Sequence, residues 1–589
     1  MILILSLFIA FFAVRGFRYQ VTTDGFVIGN TDLFIWLPLF VYFAYVLSRV
    51  FRDRDRRRML TSGFFGAVIG VFYVLGLSLE KLGSIAWMRQ NFGYLANVLN
   101  LCFSYALLYA SFAWLAFGWL KNQAEKNAGR EKPAFSFKRV LVFWLILVLI
   151  YLPFFLFMYP GVVTQDTADQ IDDAITVEGI RDHHSAFLTL MMRLVILPVR
   201  GLTGSLLTGV AACSFLQMLI MTFVFAVSYE WLRRSLVHPL LRTGLFLWFA
   251  LYPINNIYSV TLWKDILFSV GFLAFMLCVD AAAENEAAFF GSRKKMILTA
   301  VLLTLLPLMR HNGISIVILT LVCMLIRFKG FRKQVLLVGG GFALLFGIWK
   351  LALLPALNVT TIDSSHVYSV LEQQMARALR EHHEELSEAE LLKYTAYFDI
   401  PDIWTRYNPL LSDSVKKHFL TDRFQEDPAS FFKSWAELGR RYPDDYVDAF
   451  LANNYGYWFP ETWSWVIDYG VHEKGEIEDV RTAPILTSGP PAWIYNFIES
   501  EQFQKTPLLP LLMSRGACFW MWIFSACYCL YNNRKKFILF IPGLALWLGI
   551  LISPVYNEYR YVYGLFLGLP VIMTALFEPK GTDPSDSPW

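Results

Sequence analysis

Charge is scarce in this chain. Only 17% of its 589 residues are Asp, Glu, Lys or Arg, against 56% hydrophobic and 17% aromatic. Soluble domains carry roughly 25% charged residues, so the shortage excludes an ordinary soluble domain and indicates a membrane protein. A formal net charge of +4 leaves no basic excess of the kind that nucleic acid demands. Cysteine is equally restricted. Cys102, Cys213, Cys278, Cys323, Cys518, Cys527 and Cys529 all fall inside apolar runs. The polar stretch 356–505 has none, which excludes a disulfide framework or zinc-ligand spacing there. The opening "MILILSLFIAFFAV" lacks the basic n-region and small-residue cleavage site of a signal peptide and is read as a retained first helix. There is no internal repeat and no low-complexity segment.

What the chain does have is apolar runs. A spanning helix needs about 20 predominantly apolar residues, and about 14 candidates meet or approach that length. They lie near 1–17, 31–50, 62–79, 95–120, 138–159, 205–231, 240–258, 262–283, 296–310, 312–327, 333–355, 506–531, 536–554 and 560–577. Short loops rich in Lys and Arg stay cytoplasmic. Those loops are 51–58, 121–139, 233–234, 293–295, 327–333 and 532–536, and with both termini inside, this set of spans puts every one of them on the cytoplasmic side. The apolar run 187–199 is too short to span comfortably and is read as a helix lying at the outer surface. Polar segments that are not basic then face outward: 160–186, 252–265, 310–313, 356–505 and 553–564.

The expected fold is an all-α polytopic membrane protein with a mainly helical exterior domain. Residues 1–136 form an accessory N-terminal transmembrane bundle. Residues 137–355 form the transmembrane core, with a first exterior loop at 160–204. The exterior domain covers 356–505, and 506–589 holds the C-terminal transmembrane helices and a short cytoplasmic tail.

"YPGVVTQDTADQIDDAI" (159–175) leaves the membrane directly after an uncharged run and carries four aspartates. Thr164 can cap a helix starting at Gln165. Asp166, Asp169 and Asp173 then share one face at i, i+3 and i+7, with Ala168, Ile171 and Ile175 opposite. A solvated acidic face accounts for Asp172, Asp173 and Glu178. Asp166 lies where a membrane-embedded substrate would emerge, and is read as functional. "RDHHSAF" (181–187) holds adjacent histidines, His183 and His184. Neighbouring helical positions point about 100° apart, so the pair is a weak metal signal, and one histidine bonded to a phosphate oxygen is the simpler reading.

"TLWKD" (261–265) and "MRHNG" (309–313) break the charge rule by placing Lys264, Arg310 and His311 outside. Ionisable groups beside apolar spans are costly unless paired or wet. Internal pairing, for example Lys264 with Asp265, is one account. The other is an anionic ligand, since Arg offers a planar fork to phosphate oxygens and Lys a point charge. Arg560 in "YNEYRYVYG" is a third such group. "FLANNYGYWFPETWSW" contains Tyr457, Trp458, Trp463 and Trp465, which suit either stacking on sugar rings or an interfacial aromatic belt.

"YPGVVTQD" followed by "HHSAFLTLMMR", an acidic residue just after a span and then a surface helix, resembles the GT-C superfamily of membrane glycosyltransferases that use polyprenyl-phosphate-linked sugars, and "YPGVVTQDT", "TLWKD", "RHNG", "YNPLLSD", "NNYGYWFP" and "EYRYVYG" follow in order along the chain. More narrowly they look like a bacterial GT-C-like multi-pass family of mostly unassigned activity. The likeness covers roughly 137–577. It implies a GT-C-like core in which the acidic residue of the first exterior loop, here Asp166, is the catalytic base. Two features depart from the superfamily: Ser185 stands where proline often follows the histidine, and there is no compact Asp-X-Asp.

The candidate catalytic residues are therefore Asp166 and Asp169. The candidate substrate-binding residues are His183, His184, Lys264, Asp265, Arg310, Asn312, Tyr457, Trp458 and Arg560. No cofactor is called for; a divalent metal is compatible with the superfamily, but no ligand motif supports one. The expected function is inverting transfer of a sugar from a polyprenyl-phosphate donor to a glycan, lipid or protein acceptor at the exterior membrane face. A flippase for a lipid-linked glycan, or an envelope polymer ligase or polymerase, is the alternative.

Overall fold

The computed structural model describes residues 2–579 apart from 24, 30–32, 177–179, 183, 237, 361–367, 463–465, 473–476, 478 and 553. The chain is an all-α membrane protein apart from one short hairpin, β1 (Tyr19–Thr22) with β2 (Gly25–Ile28), paired antiparallel with Tyr19 opposite Ile28. Its principal helices are α1 (Ile2–Gly16), α2 (Leu33–Asp53), α3 (Arg56–Leu82), α4 (Phe92–Lys126), α5 (Phe137–Phe157), α6 (Gln165–Ile175), α7 (Ala186–Thr203), α8 (Leu206–Leu232) and α9 (Pro239–Leu251). They continue as α10 (Lys264–Glu284), α11 (Arg293–Met309), α12 (Gly313–Arg327), α13 (Arg332–Ile348), α14 (Ser369–His382), α15 (Pro443–Asn454), α16 (Arg515–Asn532), α17 (Ile541–Ile552) and α18 (Tyr559–Ala575). Polar residues set many of the starts by accepting a backbone N–H, among them Asp55 before α3, Ser136 before α5 and Ser205 before α8.

Among the described residues, nine helices are long and apolar enough to cross a membrane. Eight of them coincide with expected spans. The ninth is α7, with 18 residues where a shorter surface helix was expected. Of the other expected spans, 506–531 is the 18-residue α16, which falls outside the nine, and the rest are shorter helices. The run 240–258 is broken at Tyr252, ahead of Pro253, into α9 and a six-residue helix, Pro253–Tyr258.

α5 and α8 define the two ends of the bundle. At one end Arg139 lies 2.8 Å from the buried Glu230. At the other, Ser214 Oγ donates to Pro160 O at 2.6 Å. The short basic loops gather at the Glu230 end through ion pairs. Lys132 bridges Glu284 (3.1 Å) and Glu578 (2.7 Å), Lys536 bridges Asp280 (2.7 Å) and Glu578 (2.9 Å), and Arg327 meets Glu286 (2.9 Å). α7 does not run the length of this bundle. It begins with Ser185 Oγ donating to Leu308 O (2.6 Å), and returns antiparallel along the first half of α8, where Cys213 Sγ donates to Met192 O at 3.9 Å.

The first four helices are fastened to the rest. α3 and α4 approach closely at Gly66 and Gly70, where an added Cβ would lie 2.3 Å from Ala106 O and 2.5 Å from Ala106 N. This is the small-xxx-small contact favoured between membrane helices. α3 also packs Phe65 on Trp520 and Phe72 on Trp458. The turn after α3 grips α15: Ser84 Oγ donates to Asp448, whose other oxygen accepts from Ile85 N at 2.9 Å. The polar region after α13 has an apolar cluster of its own, including Met375, Leu379, Ile403, Phe431 and Leu438.

Candidate functional site

The stretch that leaves α5 is pinned by backbone pairing. Gly161 has φ +124°, and an added Cβ would stand 2.0 Å from Ser214 Oγ, so only glycine fits this turn. Val162 N donates to Val260 O (2.9 Å) and Leu262 N to Val162 O (3.0 Å). Val163 N donates to Gly470 O (3.0 Å) and His472 N to Val163 O (2.7 Å). α6 starts at Gln165 as expected, but Thr164 does not cap it through its side chain. Its hydroxyl instead accepts from Trp263 Nε1 at 2.6 Å and lies 3.1 Å from Thr167 Oγ1, which donates to Leu262 O at 2.9 Å. The first turn of α6 is thus tied to the strand that leads into Lys264. Its apolar face, Ala168, Ile171 and Ile175, packs on Val163, Ile196, Val210 and Leu262 within the protein.

This tethering places Asp166 among three basic groups. Arg560 Nη1 lies 2.9 Å from Asp166 Oδ2, and Arg560 Nε also donates to Glu558. The Arg560 guanidinium lies 4.9 Å from the Trp263 ring centroid and 5.0 Å from that of Tyr561. Arg310 flanks the same Tyr561 ring at 4.8 Å, donates to Tyr561 O at 3.1 Å, and stands 3.1 Å from Asp265 Oδ1. Lys264 Nζ is 3.5 Å from His184 Nδ1. Burial pushes the Asp166 carboxyl up, but Arg560, Lys264 and His184 outweigh it and hold the group below its ordinary value. At Glu558 burial wins over Arg560 and raises the carboxyl.

So Lys264, Asp265, Arg310, Arg560, His184 and Asp166 come together from four parts of the sequence. Asp169 sits half-buried one turn along α6, close enough to support the charge of Arg181. His183, Glu178, Trp463 and Trp465 lie outside the described residues. Asn312 is exposed at the turn before α12. Tyr457 and Trp458 correct the sequence reading: they are 1% and 2% exposed and belong to the core, not to a sugar-stacking surface or an interfacial belt. Tyr457 OH donates to Tyr556 O at 2.5 Å, and Trp458 meets Phe72 edge to face. Asp173 is a second correction. The expected solvated aspartate is 7% exposed and accepts three bonds from Arg181, the shortest 2.7 Å.

The sequence reading missed Glu558, Trp263 and Tyr561, although all three stand beside residues it singled out. It also missed Asp182 with Lys350, an ion pair of 3.0 Å across 168 positions for which nothing local gives a signal. Lys350 sits in a π-helical turn after α13, Trp349–Leu353. Asp182 Oδ1 in turn accepts from Ala186 N at 3.0 Å, which fixes the start of α7 beside His184.

Below the ionic cluster runs an apolar cavity of about 400 Å³ between α7, α8, α10 and α11. Met191, Val195, Leu216, Leu267, Ala274 and Leu305 are among its walls, and it ends on Lys264. Among the described residues, no group of three or more His, Cys, Asp or Glu side chains could hold a metal ion.

Residues 176–586 match a family of unknown function, DUF6020. The chain belongs to that family. The match takes in His184, Lys264, Asp265, Arg310 and Arg560 and begins ten residues beyond Asp166. No curated protein and no solved structure matches the chain.

Proposed function

We propose that this protein is an inverting membrane glycosyltransferase that takes a sugar from a polyprenyl-phosphate donor. The observation that carries the reading is the apolar cavity ending on Lys264, with Arg310, Arg560 and Asp166 gathered beside it. An amphiphile with a long apolar chain and an anionic head fits that sequence of surfaces. The chain lies in the cavity and the phosphate takes Lys264 and Arg560. Arriving phosphate competes with Asp166 for the Arg560 guanidinium and so frees the carboxylate.

The acceptor hydroxyl then attacks the anomeric carbon while Asp166 accepts its proton. The bond from that carbon to the phosphate oxygen breaks, the electron pair stays on the phosphate, and the basic groups stabilise the charge that develops there. No step needs a metal ion. The likeness to the GT-C superfamily in the order of motifs supports the same assignment.

The site lies at the exterior face of the cytoplasmic membrane, within about 14 spans. The basic loops collect at the opposite end of the bundle, and that end is cytoplasmic by the positive-inside rule. Ala389→Cys, in the exposed start of the helix Glu388–Thr395, should react with a membrane-impermeant thiol reagent in intact cells. Lys294→Cys, exposed at the basic end, should react only after lysis. The reverse pattern would overturn the sidedness. The activity is tested by incubating membranes with a panel of radiolabelled polyprenyl-phosphate sugars. Label leaving the lipid only when this protein is present supports the reading, and no release from any donor contradicts it.

A further inference from the structure

A second group of buried polar side chains takes no part in the chemistry above. α14 and α15 pack antiparallel, with Arg377 3.0 Å from Asp448 and His382 3.0 Å from Asp445. The N-terminal turn of α14 therefore meets the C-terminal end of α15. Other segments close on the same point. Gln373 Nε2 donates to Asn408 O (3.1 Å) and Leu411 O (2.9 Å), and Ser412 N donates to Val555 O (2.9 Å). Leu411 pairs with Tyr556, whose carbonyl accepts from Tyr457 OH. Gly456 packs so tightly on Asn557 that a Cβ would come within 2.4 Å of its Nδ2.

Glu372, Gln373, Asn453 and Asn454 are buried at this junction, none more than 2% exposed. Both Glu372 oxygens, Gln373 Oε1, both polar atoms of Asn453 and Asn454 Oδ1 make no hydrogen bond among the described residues. Buried polar atoms are normally paired, because an unpaired one loses its hydration for nothing in return. Burial also raises the Glu372 carboxyl to about 8, so at neutral pH it offers both an O–H donor and an acceptor oxygen. The unpaired set thus contains donors and acceptors together, which is what a ligand hydroxyl needs. The junction continues through Tyr556 and Asn557 into Glu558 and Arg560.

We infer that this junction is the sugar subsite of the donor, where Glu372, Gln373, Asn453 and Asn454 hold sugar hydroxyls. The inference rests on the transferase reading, and one experiment separates the two. Purified full-length protein in nanodiscs is titrated with undecaprenyl phosphate and with undecaprenyl phosphate carrying glucose, galactose, mannose or arabinose. At least one sugar-bearing lipid should bind about tenfold more tightly than the bare lipid, as one lost hydrogen-bonding group of a polar pocket commonly costs that factor. Glu372→Met and Asn453→Leu should each remove most of that preference while leaving bare undecaprenyl phosphate binding unchanged. Retained bare-lipid binding also reports that the variants fold, and Glu372→Met, close to glutamate in length and volume, decides if Asn453→Leu does not. Equal affinity of the wild type for bare and sugar-bearing lipids would mean a water-filled void and overturn the subsite. So would a preference that survives Glu372→Met. Failure of every lipid to bind would instead remove the phosphate reading, and the subsite with it.

Discussion

Asp166→Asn should reduce sugar transfer by about 10²–10⁴-fold, the usual contribution of a general base. The substitution keeps size and much of the hydrogen bonding to Arg560 but removes the group that accepts the proton. Binding of bare lipid phosphate should persist, because Lys264, Arg310 and Arg560 remain. The pH profile gives an independent check. Arg560, Lys264 and His184 outweigh burial and hold the carboxyl below its ordinary value of 3.8, so the base is ionised throughout the neutral range. On the proposed mechanism, the acid limb of transfer set by Asp166 in the ligand-free protein should fall below pH 3.8. Asp173→Asn is the contrast on the same helix. Its Arg181 partner is 58% exposed, so the pair contributes about 0–1 kcal/mol, and turnover should change by less than about threefold. Wild-type turnover in Asp166→Asn would leave the carboxylate as a structural partner of Arg560 and nothing more.

Arg310→Met should cost about 3–5 kcal/mol of stability. Removing one member of a buried ion pair leaves its partner short of compensation, and Asp265 is fully buried with Arg310 at 3.1 Å, Lys264 and Arg560 being the further cations that act on it. The double variant Arg310→Met, Asp265→Leu should recover much of the loss, since an apolar pair of similar volume replaces a buried ion pair with little penalty. Thermal unfolding of the three purified variants beside wild type measures both effects. A single variant as stable as wild type would mean that Lys264 and Arg560 compensate Asp265 without Arg310. If the double variant regains stability but not lipid-phosphate binding, Arg310 serves the ligand as well as the fold.

Much of the site was legible because sidedness and charge are both written locally. A Lys or Arg in a short loop that hydropathy places outside is an anomaly, and Lys264, Arg310 and Arg560 are three such anomalies that the fold brings into one cluster. α6 begins at Gln165, directly after the residue read as its cap, although the Thr164 side chain bonds elsewhere. Other features depended on partners that no local pattern reveals. Asp173 reads as a solvated carboxylate until the chain returns Arg181 against it. Trp458 reads as a belt or a sugar platform, and it is core because α3, far back in the sequence, presents Phe72 to it. Glu372 has nothing in its neighbourhood in sequence to mark it as buried and unpaired. Nine of the described helices meet the length and hydropathy of a span by themselves. α1, α11, α12 and α18 have only 15–17 residues, and a window of about 20 residues runs past their ends into the flanking turns.

The claim that joins these results is that the basic groups around Asp166 hold a lipid phosphate. The measurement that addresses it most directly is an experimental structure of the protein in nanodiscs with undecaprenyl phosphate bound. The account predicts phosphate oxygens within hydrogen-bond distance of Lys264 and Arg560, Asp166 released from Arg560, and the prenyl chain between α7, α8, α10 and α11. A phosphate seated elsewhere, with the pair between Asp166 and Arg560 intact, would contradict it.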